Sequence, residues 1–149
     1  MHDSMKKPAV IGFYGESNTG KTTLIVEIIK KLTNECLKVA TVKVTDKKIG
    51  IDTKEKDTWK YDKAGSKLVV FSSPIETDFL HMENIRMSKI LNYIEELDEY
   101  DIIIIEGARD KNTPKVRLGN ISERENTIFT YDGNFDRLIK MIKNEISRR

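Results

Sequence analysis

Residues 9–24 read AVIGFYGESNTGKTTL, and this stretch decides the fold. Its first half is a short apolar run ending in glycine, the pattern of a buried strand that feeds a loop. Gly15 to Thr22 then satisfy G-x-x-x-x-G-K-[ST], and beyond Lys21 the residues Leu24, Ile25, Ile28, Ile29 and Leu32 recur at helical spacing. Strand, glycine loop and amphipathic helix in that order make a phosphate cradle. Glycine lets the backbone turn successive N–H groups inward, and the helix start adds positive potential. Lys21 reaches the terminal phosphates and Thr22 offers a hydroxyl to Mg²⁺. Chance supplies such a match in roughly one chain in two hundred of this length. Asn18 and Thr23 either touch phosphates or merely shape the turn, and Glu16, Ser17 and Thr19 are less diagnostic still. The binding set is read as Gly15, Ser17, Asn18, Thr19, Gly20, Lys21, Thr22 and Thr23.

Working outward, CLKVATVKVT (36–45) alternates, is rich in valine, and completes a βαβ unit with a right-handed crossover. Residues 45–63 hold eleven charged side chains among nineteen, which suits a solvated loop running into an exposed helix capped by Gly65. KLVVFSS (67–73) reads as a third strand, TDFLHM (77–82) as a weak short one, and 84–97 as a helix with Ile85, Ile90, Leu91 and Ile94 inward. DIIIIEG (101–107) suits a central strand buried on both faces. PKVRLGN and TIFTY follow as later strands, and Asn134 caps a final helix whose Leu138, Ile139, Met141, Ile142 and Ile146 face the core. With no repeat and no Pro/Gly-rich linker, residues 1–149 are expected to form a single P-loop nucleotide-binding domain. The fold class is α/β, a P-loop NTPase-like three-layer α/β/α arrangement with a mostly parallel central sheet.

A phosphate loop needs an acid to hold the magnesium shell. Glu106, at the carboxyl end of the isoleucine strand, is the best placed, because those ends open into the ligand crevice of a parallel sheet. Gly107 behind it lets backbone approach the γ-phosphate. Thr22 and Glu106 are thus the expected metal set, and Glu106 with Asp46 the expected catalytic pair. Asp46 and Asp57 are each placed to reach magnesium or orient a water, Lys43 to add charge, and Arg109 to sense phosphate. All four are read equally well as ordinary surface charges. Asp101 lies at the other end of the strand and is read as a loop or capping residue, not a metal ligand.

Composition narrows the partners. Lys and Arg number 26 against 24 Asp and Glu, so a net charge of +2 gives no reason to expect nucleic acid or an anionic membrane. Cys36 is the sole cysteine, which excludes a disulfide framework within the chain and fits a reducing compartment. His2 and His81 lie far apart in sequence, so a His/Cys zinc site is not expected. The opening MHDSMKK does not lead a secretory signal and no stretch approaches a membrane span, so a cytoplasmic location is expected.

The order GESNTGKTTL, VATVKVTD, KDTWKYDKAGSKLVVFSS, DIIIIEGARDKNTPKV resembles the molybdopterin-guanine dinucleotide biosynthesis protein B (MobB) family over residues 9 to about 118. The combination of KD-T-W with AGS, then EG and PK, makes the resemblance specific, since the phosphate loop alone is widely shared. It implies a homodimeric GTP-binding adapter, at most a slow Mg-dependent GTPase. Such an adapter assists a MobA-type molybdopterin guanylyltransferase in attaching GMP to molybdopterin that carries molybdenum or tungsten. Molybdopterin itself is a further implied ligand. Carried over by position, Gly15, Gly20, Lys21, Thr22 and Thr23 hold phosphate and Mg²⁺, and Glu106 is the acid of a Walker B-like strand. The family commonly has histidines after the second-strand lysine, where this chain reads KVTDKK, so no role of those histidines transfers. The N-K-x-D sequence that reads guanine in many GTPases is also missing, and Asn120 is no more than a candidate base contact.

The alternative from a different class is a P-loop kinase acting on a small molecule or nucleotide. Such an enzyme usually carries a mobile basic lid, whereas Arg86, Arg117 and Arg124 are scattered. Trp59, the single tryptophan, is read as a core anchor for the charged segment in preference to part of a partner surface.

Overall fold

The structure, a computed structural model, describes residues 6–149; His2 and most of the opening stretch lie outside the described residues. The elements run β1 (Ala9–Tyr14), α1 (Lys21–Asn34), β2 (Val39–Lys43), α2 (Asp57–Lys63), β3 (Leu68–Ser72) and β4 (Thr77–His81). Then follow α3 (Met87–Glu96), β5 (Ile102–Glu106), β6 (Lys115–Arg117), β7 (Thr127–Thr130) and α4 (Phe135–Arg148). They form two compact units. The first comprises the described residues up to Thr45 together with Leu91–Arg149, and the second is Asp46–Ile90.

The first unit is a five-stranded sheet in the order β2-β5-β1-β6-β7, with every pairing parallel. Ile102–Ile105 are at most 1% exposed because β5 is paired along both edges and covered on both faces. β2 pairs only with β5 and so forms an edge, which is why its sequence alternates where that of β5 does not. α1 and α4 supply the apolar stripes that cover one face of this sheet. Leu24, Ile25, Ile28 and Leu32 of α1 and Leu138, Ile139, Ile142 and Ile146 of α4 join Ile11, Phe13, Ile102 and Ile104 in one core. Asn134 caps α4 as expected, its side chain accepting from Arg137 N at 3.1 Å. Asp101 has the loop role: Oδ2 accepts from Lys38 N at 2.8 Å and Oδ1 from Arg149 Nη2 at 2.9 Å.

The second unit holds α2 and a separate antiparallel hairpin of β3 and β4. KLVVFSS is therefore a strand, but not one of the parallel sheet. On one hairpin face Val69 is buried opposite Leu80; on the other, Leu68, Val70 and Phe79 are 47, 49 and 68% exposed. The charged loop does run into an exposed helix: α2 has no buried residue and ends at Ala64, where Gly65 N donates to Asp62 O. Trp59 departs from expectation. It is half-buried, with Lys63 Nζ 5.6 Å from its ring centre, because a helix of seven residues on a two-stranded hairpin has no interior deep enough for an indole.

Candidate functional site

The loop 15–20 joins β1 to α1 at the carboxyl edge of the sheet. Gly20 stands at the N-cap with φ 83°, a left-handed turn that aims the first helical N–H groups back across the loop. Lys21 Nζ arches over the same mouth and donates to Gly15 O at 2.6 Å. Thr19 Oγ1 donates to Glu16 O at 2.7 Å, so its hydroxyl closes the turn. Asn18 supports the same bend with φ 63°, while Ser17, Asn18 and Thr23 are exposed along the loop and the first helical turn.

The structure brings Glu106 to this loop. β1 and β5 are in register with Phe13 opposite Glu106, and the carboxylate Oε1 accepts from Thr22 Oγ1 at 3.4 Å. Lys43 stands opposite Glu106 on β2, and its Nζ lies 3.2 Å from Oε2. Thr22, Lys43 and Glu106 line a cleft of about 260 Å³ with Thr41 and Ile104. Gly107 has φ 86°, and a Cβ there would stand 2.6 Å from Val44 O, so glycine is needed for the chain to turn behind the acid. A hydroxyl and a carboxylate converging beside backbone N–H groups and a lysine are hard oxygen donors next to an anion cradle. The set fits a phosphate-bound Mg²⁺, which takes few protein ligands. Asp46 and Asp57 belong to the second unit. Arg109 is exposed in the first.

One network escaped the sequence reading. Lys115 is 1% exposed, and its Nζ donates to Thr113 O at 2.8 Å and Glu125 O at 2.7 Å, tying the segment after β5 to the turn before β7. Asp110 Oδ2 accepts from Thr113 N at 2.9 Å and Thr113 Oγ1 at 2.7 Å. Burial pushes the Asp110 carboxyl up, but those two bonds and the Lys115 charge outweigh it and hold it below the usual range. Arg124 Nη1 donates to Ala108 O at 2.7 Å while its guanidinium lies 4.6 Å from the Tyr14 ring. Burial, then the Arg109 charge, lower the Arg124 pKa. The hydroxyl of Tyr14 accepts from Arg124 N at 3.0 Å and lies 2.6 Å from Thr127 Oγ1. These side chains brace the backbone on either side of the loop. The only signal in the sequence was a lysine inside an apolar strand, PKVRL, where a solvated position is the usual reading.

The family model described as molybdopterin guanine dinucleotide synthesis protein B matches residues 10–144. The chain belongs to this family. A Haemophilus influenzae molybdopterin-guanine dinucleotide biosynthesis adapter protein is 27% identical over 112 residues, 73% of this chain and 62% of that protein. A Methanocaldococcus jannaschii protein that carries the same adapter name provisionally is 33% identical over 111 residues, 72% of this chain and 45% of its own length. The chain thus spans about half the length of the curated relatives it matches. Among solved structures, Bacillus subtilis MobB superposes with a TM-score of 0.71 at 17% identity, covering 92% of this chain and 97% of that one. The MobB homologue of Bacillus stearothermophilus gives 0.67 at 16%, covering 95% and 99%. These likenesses establish the MobB fold, an α/β P-loop NTPase-like arrangement with a parallel central sheet and flanking helices, and the relatives' names place the family in molybdopterin guanine dinucleotide biosynthesis. No helix among the described residues is long and apolar enough to cross a membrane.

Proposed function

We propose that this MobB-family chain is a GTP-binding adapter that assists attachment of GMP to molybdopterin, working beside a MobA-type guanylyltransferase in the cytoplasm. The observation that carries the reading is the convergence of Thr22 and Glu106 beside a phosphate loop whose Lys21 spans its mouth. In it Lys21 and the loop N–H groups hold the phosphates, Thr22 and Glu106 hold Mg²⁺, and Lys43 keeps the Glu106 charge balanced. Magnesium supplies charge neutralisation at the terminal phosphates. Hydrolysis is slow in this reading, with Glu106 as the residue that would orient water.

A homodimer belongs to the same proposal. The exposed hairpin face of Leu68, Val70 and Phe79 carries no formal charge, and among the described residues each hairpin strand pairs along one edge only, so a second copy meets an apolar surface like its own.

Calorimetry of the purified chain with Mg²⁺ should give tighter binding of GTP than of ATP, with slow turnover. Lys21→Ala should abolish nucleotide binding, by at least about a hundredfold for a lost charge-assisted phosphate contact, while the domain stays folded by circular dichroism. Undiminished binding in a folded variant would discard the phosphate-loop assignment. Co-purification with a molybdopterin guanylyltransferase supports the adapter role, and rapid phosphorylation of a small acceptor would replace it with the kinase reading.

A further inference from the structure

The loop 15–20 has two unlike flanks. On the β5 side stands Glu106, bonded to Thr22. On the β6 side the loop leans on the segment after that strand: a Cβ on Gly15 would stand 2.8 Å from Leu118 O, and one on Gly119 would stand 3.8 Å from Thr19 Cγ2. A nucleoside triphosphate whose terminal phosphates lie toward Glu106 must extend its sugar and base the other way. That direction leads over the carboxyl ends of β6 and β7.

Two short segments lie there, residues 118–121 and 131–134. The pairing of the strands continues just beyond them, with Tyr131 N donating to Arg117 O at 2.9 Å. From the Arg117–Thr130 pair, Gly119 and Asp132 are each two residues further on. Asp132 is the only acid in the two segments. Its Oδ1 accepts from Asn134 N at 3.0 Å and its Oδ2 from Arg137 Nη1 at 2.8 Å. Arg137 is itself steadied 5.9 Å from the Phe129 ring. The Asn134 N–H first, and the Arg137 charge with it, hold the Asp132 carboxyl below its ordinary range. The side chain is 46% exposed, and a carboxylate has roughly four acceptor sites, so further acceptor capacity faces solvent.

Guanine presents N1–H and an exocyclic amine side by side, two donors at the spacing of a carboxylate's oxygens. Adenine has no N1–H and presents a lone pair there, which a carboxylate repels. The amide of Asn120, on the adjoining turn, both donates and accepts and so cannot by itself reject adenine. We propose that Asp132 reads the base, accepting from N1–H and the amine of guanine and excluding adenine. The inference rests on the nucleotide-binding reading of the phosphate loop, and it locates a guanine reader in a chain without N-K-x-D.

The test is calorimetric titration with GTP, ATP and xanthosine triphosphate, each with Mg²⁺. All three share phosphates and sugar, so their affinity ratios report on the base alone. Asp132→Asn replaces an acceptor by a donor, and xanthine has a carbonyl where guanine has its amine. GTP should weaken and xanthosine triphosphate should gain, moving their ratio by about tenfold or more, the scale of one charge-assisted hydrogen bond. Asp132→Ser keeps an oxygen for the Asn134 N–H, preserving the turn, and should lose the preference for GTP over ATP. GTP binding with unchanged ratios in either folded variant overturns the assignment of Asp132 and leaves the proposed function standing. An unaltered protein that binds no triphosphate, or binds as well with Lys21→Ala, overturns both.

Discussion

The two units of this chain use the same apolar side chains to opposite ends. In the first, four consecutive isoleucines vanish into a strand paired on both edges, while in the second, Leu68, Val70 and Phe79 stand exposed on a hairpin that has no third strand among the described residues. A groove of about 1250 Å³ also lies in the second unit, between α2 and the hairpin, although the proposed phosphate site is in the first. Size of cavity and site of chemistry are therefore separate questions here. The first unit buries its apolar side chains in a strand paired on both edges, and the second leaves several of its own at a surface.

Truncation should break the symmetry of residue type most sharply. Ile104→Ala removes three buried carbons from the core and should cost about 3–4 kcal/mol in urea unfolding. Phe79→Ser should leave unfolding within about 1 kcal/mol, since the ring is already exposed, yet shift sedimentation toward monomer. A large loss of stability with unchanged association would show that the hairpin ring is a core group after all. A smaller effect comes from Lys115→Met, which keeps the volume but strands the carbonyls of Thr113 and Glu125; about 2–3 kcal/mol is expected in the same assay. An unaltered midpoint would mean that the buried ammonium contributes nothing beyond its stem.

The smallest effect is a pH dependence confined to the first unit. Because the Asp110 carboxyl is held below its unfolded value, its contribution is fully present above roughly pH 4 and is lost as pH falls through the native pKa. Asp110→Asn should therefore flatten the acid limb of the stability curve below about pH 4 and leave neutral stability nearly unchanged in slope. An acid limb identical to that of the unaltered chain would remove Asp110 as its source.

What could be read beforehand followed from period and punctuation. AVIGFYG, the helix after Lys21, IIII and the Asn134 cap each carry a local signal, and all four fall where those signals put them. Glu106 was legible because a strand's carboxyl end fixes where its last side chain goes. The placement of KLVVFSS was not, because a strand's sequence does not say which sheet it joins, and only the register with residues 77–81 separates it from the parallel set. Lys115 and Asp110 were illegible for a further reason: their burial depends on carbonyls and hydroxyls from other segments, which no spacing along one segment reveals. Trp59 misled because an indole's usual burial presumes a deep core nearby.

The order of the strands also bears on how the chain is made. β5 lies between β1 and β2 but is separated from both in sequence by the whole second unit. During synthesis, β1 and β2 emerge early and have no strand to bridge them until residues 102–106 leave the ribosome. The intervening hairpin and helix rely on local contacts and can form in that interval, while the loop they close makes the arrival of the isoleucine strand a slow, long-range event. Completion of the parallel sheet thus waits on a segment that lies outside the loop 15–20.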